Sequence, residues 1–468
     1  MSDYDFGNLP DLPGEIADID RLLDDLDHCL LVGFSHLTDT ETAIFESLQS
    51  ALDGTPLSTL ISGIIDSYNQ NILDESFFEK LSIIRSSLQT VKYEALKDHL
   101  TKCLGRKRRA TDFAPSPSPG NEHAILDAVR SFLKDLAIAG FERINRDILE
   151  PFDTTLDKML DQAELYPIAA LLTGFYNELI NALPINSRES VPLIRWCDLW
   201  SRVFLKLIHP RIPAEASLVD GEFFPLGSEY LHHRNLVAIR FHGLLETAKE
   251  KQLVQITFSS LKVDIVNLQS SQHLIPQLSV FLQALSGSSR ILLRNYNLYP
   301  TGDLEQTPAS ACSAGKSFDR IGMLSQYFCI GSSDESITIN QPHPFHCHPA
   351  VLAEPVLIGS PVWTMEKEEY LIEIKGTSIP IRFKHVMPEF GTAIKSTGGL
   401  VSIESIFGIL KFDSAHWFIQ PLLVVSSLSN SYFAGSSMLG SQNPPKDANQ
   451  IAILKERASR LLRGKGGC

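Results

Sequence analysis

Seven cysteines, at positions 29, 103, 197, 312, 329, 347 and 468, include no Cys-x-x-Cys pair. An odd number without framework spacing excludes a disulfide-stapled secreted fold and fits a reduced compartment. No run of apolar residues is long enough for a membrane helix, because the richest stretch, Trp417 to Leu428, is interrupted by Gln420 and Pro421. The opening Met-Ser-Asp-Tyr-Asp-Phe is acidic and lacks the basic-then-apolar order of a secretory signal, so a cytoplasmic location is expected. Cys468 is the last residue and does not meet the prenylation pattern, which places its cysteine three positions earlier.

Signatures of catalysis are equally sparse. Neither Gly-x-Ser-x-Gly nor His-Glu-x-x-His occurs. The segment Ala311-Cys-Ser-Ala-Gly315-Lys316-Ser317 ends like a phosphate-binding loop, but Ser310 stands where that loop needs its first glycine. Asp24/Asp25 and Glu368/Glu369 are adjacent pairs that do not share a face and read as solvated.

What is present is a folded composition with segregated charge. At 468 residues, 44% apolar and 21% charged, the chain is long enough for two or three domains and too apolar for global disorder. Its net charge of −14 resides in the first hundred residues, where 13 Asp and 6 Glu face 5 Lys plus Arg; the remainder holds 36 charges of each sign. Such a field repels nucleic acid and acidic membranes and suits a basic protein partner, or serves as a solubilising face. Two basic clusters oppose it, one at Lys102 and Arg106 to Arg109, the other from Lys455 to Lys465.

The patterning predicts an α+β protein, with N-terminal helical bundles followed by an antiparallel β-rich half arranged as a sandwich or small barrels. Residues 1–105 read as an acidic helical bundle. In its first helix Ile16, Ile19, Leu22, Leu23, Leu26 and Leu30 recur at helical spacing among aspartates. Thr38-Asp-Thr-Glu41 forms a capping box, and a longer helix after Asp74 places Phe77, Phe78, Leu81, Ile84, Leu88 and Val91 on one side. Residues 106–121, with alternating Pro and Ser, read as a linker. A second helical block spans 122–212 and ends in the aromatic face of Trp196, Trp200 and Phe204, which reads as core.

From 213 to 428 the pattern alternates in many short β segments, while Thr301 to Lys316 has few apolar anchors and reads as a surface loop. Gly243 and Gly408 each interrupt an apolar strand, as glycines do where a barrel strand bends. The stretch Phe407 to Gln420 looks like the first hairpin of an OB-type barrel. Residues 429–468 read as a flexible tail with one short basic helix.

Three functional expectations follow. The leading one is a non-enzymatic adaptor or subunit of a larger assembly, needing no cofactor, that binds a basic protein partner through Asp20, Asp24, Asp25 and Asp27. The second is a zinc-dependent module or enzyme on His343, His346, Cys347 and His348, whose donor types suit zinc although the paired ligand spacings are absent; in an extended segment Cys347 points away from His346 and His348, so Cys329, Cys312 or Asp334 would supply a fourth ligand. The third is single-strand nucleic-acid binding by stacking on Phe407, Phe412, Trp417 and Phe418 beside Lys411, disfavoured by the near-neutral charge of that half.

Overall fold

A computed structural model describes residues 6–106, 124–162, 165–208, 216–232, 236–261, 278–331, 337–339, 352–366, 369–383, 403–413, 416–426 and 431–433. The first half is helical: α1 (Gly14–Val32), α2 (Asp39–Leu52), α3 (Ser58–Asn69), α4 (Glu75–Leu104), α5 (Ala124–Ala139), α6 (Arg146–Leu160), α7 (Tyr166–Ala182) and α8 (Leu193–Ile208). Local chemistry sets several of these boundaries. The Glu41 carboxylate accepts from the Thr38 amide at 2.6 Å to open α2, and the Asp74 carboxylate accepts from the Phe77 amide at 2.9 Å to open α4. Gly105, at φ 66°, closes α4 in the left-handed conformation that glycine adopts at no steric cost.

Helices from both sides of residues 106–121 share one core. Leu23, Leu30, Phe77 and Phe78 pack in the same cluster as Val129, Leu133, Trp196 and Trp200. Trp200 Nε1 donates to the Leu133 carbonyl at 2.9 Å, which satisfies its buried N–H, and its ring meets Phe78 edge-on. The aromatic face of α8 is core.

α4 is the strut of the molecule. Thirty residues give it a length of about 45 Å, and its two halves enter different cores. Phe77 to Leu88 belong to the bundle, whereas Tyr93, Leu96, Leu100 and Leu104 pack with Phe6, Leu9 and Ile16 against strands of the β half. Val91 falls at the changeover and is 54% exposed, a correction to its placement on the buried side. The helix changes neighbours there, so the apolar stripe cannot continue unbroken.

The second half contains two barrels. In the first, β1 (Ser217–His232) pairs antiparallel with β2 (Leu236–Glu246) and with β4 (Ser289–Leu298). β2 pairs with β3 (Lys251–Leu261), β4 with β5 (Asp303–Ser317), and β3 runs parallel to β5 at Gln255–Asp303 and Ile256–Leu304. The ring therefore closes in the order 1-2-3-5-4-1, the Greek-key closure of an OB-type barrel. α9 (Leu278–Ser286) lies between β3 and β4 and buries Leu278, Phe281, Leu282 and Leu285 in the barrel core.

The second barrel repeats this order once one break is bridged. β7 (Leu352–Gly359) and β8 (Val362–Glu366) are halves of one bent strand, interrupted at Ser360, whose φ is 46°, and Pro361. β7 pairs with β11 (Ile403–Asp413), β11 with β12 (His416–Ser426), β12 runs parallel to β10 (Thr377–Ile381), β10 pairs with β9 (Glu369–Ile374), and β9 returns to β8. β6 (Thr338–Ile339) and β13 (Ser431–Phe433) are short additions to β3 and β12. α10 (Arg320–Phe328) stands at the junction, its Phe328 ring 5.4 Å from that of Phe407.

Two sequence expectations are corrected here, the hairpin and the loop. Phe407 to Gln420 is the last hairpin of the second barrel, not the first of one. Gly243 and Gly408 occupy different strands of their rings but meet the same demand: a Cβ would lie 2.5 Å from the Phe223 ring at the first and 2.7 Å from the Gln420 carbonyl oxygen at the second. Thr301 to Lys316 is mostly strand β5, not a loop, because pairing with β4 holds it in place and its small polar side chains suit a solvated face.

Candidate functional site

The acidic residues of α1 divide by the face they occupy. Asp27 points into the bundle, where the fully buried Arg85 of α4 donates to it from Nε at 2.6 Å and from Nη2 at 2.9 Å. Arg85 also donates to Ser201 Oγ at 3.2 Å and lies 3.9 Å from Asp198 of α8. Burial works against the charge on Arg85, but the Asp27 carboxylate outweighs it and holds the guanidinium pKa above its usual value. Asp27 therefore ties α1, α4 and α8 together and is not available to a partner, a correction to its place in the acidic surface.

Asp20 is half-buried and paired with Lys92 of α4. Asp25 is half-buried and Asp24 is exposed. Partial burial raises the Asp24 pKa first, and repulsion from Asp27, Asp20 and Asp25 raises it further against the opposing pull of Lys92. Like charges thus crowd the outer side of α1, opposed by Lys92.

A second ionic cluster joins the two barrels, and sequence patterning did not identify it. Glu229 of β1 is buried; its Oε1 accepts from Lys411 Nζ of β11 at 2.9 Å, and its Oε2 lies 3.1 Å from His242 Nε2 and 3.6 Å from Arg240 Nη1. Burial alone would raise the Glu229 pKa, yet Lys411, His242 and Arg240 together hold it well below the usual carboxylate range. Burial keeps His242 below its ordinary value and so neutral, with Glu229 opposing. Beside the cluster, a Cβ on Gly227 would sit 2.7 Å from the Leu422 Cβ, and Leu357, Phe407, Ile409, Leu422 and Leu423 of the second barrel pack into the core of the first. The barrels are bonded face to face.

The residues expected to stack on bases are committed elsewhere. Phe407, Phe412, Trp417 and Phe418 are buried, the Trp417 ring 4.9 Å from that of Phe412, and Arg382 covers Phe418 at 4.3 Å. Lys411 is the partner of Glu229. Phe412 and Trp417 lie in the second barrel's own core, Phe407 packs into the contact with the first barrel, and Phe418 is covered by Arg382, each burying much apolar area. His343, His346, Cys347 and His348 lie outside the described residues, as does Asp334. Among the described residues no group of three His, Cys, Asp or Glu side chains is placed to hold a metal ion, and no helix is long and apolar enough to cross a membrane.

A third feature is a cleft of about 490 Å³ on the first barrel, where β3 and β5 part after their short parallel pairing. Asp303 accepts from Gln255 Nε2 at 2.7 Å and from Thr301 Oγ1 at 2.6 Å, and Glu305 accepts from the Tyr299 hydroxyl at 2.5 Å. The bond to Glu305, with partial burial and the nearby carboxylates, raises the Tyr299 pKa. Among the described residues no lysine or arginine lines the cleft.

No protein-family model and no curated protein sequence matches this chain. One solved structure, described as "Molecular basis for abrogation of activation of pro-inflammatory cytokines", aligns over 44% of this chain and 90% of its own at 9% identity, with a TM-score of 0.20. A likeness that slight carries no argument.

Proposed function

We propose that the protein is a non-enzymatic adaptor or subunit of a larger assembly, and that the outer side of α1, with Asp24 and Asp25 at its centre and Asp20 at its edge, docks a basic protein partner. The observation that supports this reading is the crowding at Asp24, an exposed carboxyl raised in part by its own acidic neighbours. A cation brought to that side relieves the repulsion, so binding and carboxylate ionisation favour each other.

The test is co-purification of the full chain from its native cell, comparing wild type with the Asp24→Lys/Asp25→Lys variant at low and high ionic strength. The expected result is a protein partner lost from the variant and weakened by salt. An unchanged set of partners at every ionic strength refutes the reading. Asp27 is left intact, because reversing it would unseat Arg85.

A second reading, single-strand nucleic-acid binding, is favoured by the tandem OB-type closure, since such barrels commonly take up oligonucleotides on strands 2 and 3 and the loop joining 4 and 5. In the first barrel that neighbourhood carries Asp303 and Glu305, which repel phosphate. A labelled oligothymidylate titrated into the protein at low salt separates the two readings: saturable, salt-sensitive binding supports the second.

A further inference from the structure

The fork between β3 and β5 combines a cleft, an unfinished ladder and a charge of one sign. β3 is paired with β2 along its whole length, but on its other side, after Ile256, it has no strand partner among the described residues. β5 leaves it at Leu304 to follow β4 alone. Backbone donors and acceptors on a strand edge seek a partner, and an extended peptide can supply one. The two edges are not equivalent. β5 is blunted by a wide bulge at Thr307-Pro308-Ala309-Ser310, pinned by Thr307 Oγ1 and Ser310 Oγ to the Asn295 carbonyl at 2.9 and 2.6 Å. β3 runs without a register shift from Lys251 to Leu261, with Thr257 and Ser259 exposed and Phe258 buried in the barrel. The receptive edge is that of β3.

Charge selects the occupant. Asp303 and Glu305 stand on the β5 wall of the cleft and their hydrogen bonds come from neutral donors; among the described residues no basic side chain lines the space, although Arg240 donates to Thr257 Oγ1 at 3.2 Å and also lies 3.6 Å from Glu229. We propose that the β3–β5 fork of the first barrel accepts an extended, lysine- or arginine-bearing segment of a partner protein as an added strand on the edge of β3 beyond Ile256, with a basic side chain reaching Glu305. This goes beyond the acidic side of α1: it concerns another surface and another mode of recognition, and the two stand or fall by different variants.

The test uses the immobilised full-length chain to select from a random dodecapeptide library displayed on phage. Enriched peptides are then synthesised and titrated by fluorescence anisotropy against wild type and Glu305→Lys, with an oligothymidylate as competitor. Expected are peptides carrying Lys or Arg, bound about tenfold or more weakly by Glu305→Lys. N-methylation of alternate amides should abolish binding in one register and spare it in the other, since an edge strand uses every second amide. An unchanged urea midpoint shows that Glu305→Lys, at an exposed position, is folded. The proposal is overturned if no peptide is enriched, if Glu305→Lys binds the peptides as well as wild type, or if both N-methylated registers bind. It is overturned equally if the oligonucleotide displaces the peptide and itself binds more tightly, or if the fork instead joins two copies of the chain, seen as a dimer that Glu305→Lys abolishes.

Discussion

Removing Lys411 tests whether the two barrels behave as one unit. Lys411→Met keeps the length and apolar stem of the side chain and deletes only the charge that reaches Glu229 at 2.9 Å. Breaking one side of a buried ion pair costs about 3–5 kcal/mol when the other charge is left without a partner. Glu229 would keep His242 at 3.1 Å and Arg240 at 3.6 Å, so a cost nearer 2–3 kcal/mol is expected, about that of losing a charge-assisted hydrogen bond. The assay is hydrogen exchange read by mass spectrometry on peptides covering β1 and β12, where a loosened interface shortens protection before the bundle is affected. A change below about 0.5 kcal/mol, the range of an ordinary surface substitution, would refute the view that Glu229 depends on the second barrel. The same cluster sets an acid dependence whose sign follows from the two shifts. His242 is held neutral below its usual pKa, so its contribution is complete above about pH 6.5 and fades as pH falls through the interval below. Glu229 is depressed, so its contribution is complete above about pH 4.3 and is lost as pH falls toward its native value. His242→Gln should flatten the upper part of the decline and leave the lower part.

Other substitutions probe the remaining joints. Gly33 and Gly140, at φ 93° and 89°, face each other so closely that a Cβ on either would lie within 2.6 Å of the other's backbone; Gly140→Ala should lower bundle stability by about 2–4 kcal/mol, read as a shifted urea midpoint. Asp27→Ala leaves the Arg85 guanidinium buried without its carboxylate and should cost about 3–5 kcal/mol, while the double change Asp27→Leu/Arg85→Met should recover most of that loss in the same titration. Arg106 pairs with Glu354 and donates to the Pro355 carbonyl at 2.9 Å and the Phe328 carbonyl at 3.3 Å, so Arg106→Ala should speed exchange across Leu352–Gly359 without moving the bundle midpoint.

The helical half was legible because its signals are local. A capping box at Thr38 to Glu41, an N-cap at Asp74 and a 3.6-residue stripe through Leu22, Leu26 and Leu30 each lie within a few turns of chain. The β half was legible only as short alternating runs. β1, the longest strand among the described residues, carries no clear alternation because Pro225 and Gly227 interrupt it at the bulge where the strand bends to serve both β2 and β4. α9 and α10 are nine residues each, too short for periodicity to separate from a buried strand. The division of the α1 aspartates was invisible for a different reason: Asp25 and Asp27 are equally plausible as surface charges until Arg85, 58 residues away from Asp27, is seen to meet only one of them. Glu229 is the same case across 182 residues, its partner a lysine that sequence alone places beside a set of stacking aromatics.

The face that each barrel gives to the other decides what is left for recognition. The first barrel contributes Gly227 and Glu229 of β1 with His242 and Arg240 of β2, and the second contributes Phe407, Ile409 and Lys411 of β11 with Leu422 of β12. Strand 2 of the first barrel, half of the surface on which OB-type folds usually lay a ligand, is thereby partly occupied by a neighbour within the same chain. Strand 3 is flanked by β6 at Gln252–Leu253 and by β5 at Gln255–Ile256, but among the described residues its far edge opens at Thr257 beside the carboxylates of β5. The second barrel has lost its last hairpin to the contact and its lower strands to α4 and the N-terminal turn, where Thr377 donates to the Gly7 carbonyl at 3.1 Å. Packing of this kind narrows the choice of ligand without any contact to it: under the proposed reading, the strand edge and acidic wall left open among the described residues would suit a chain that brings its own backbone donors and a positive charge better than one that brings phosphates.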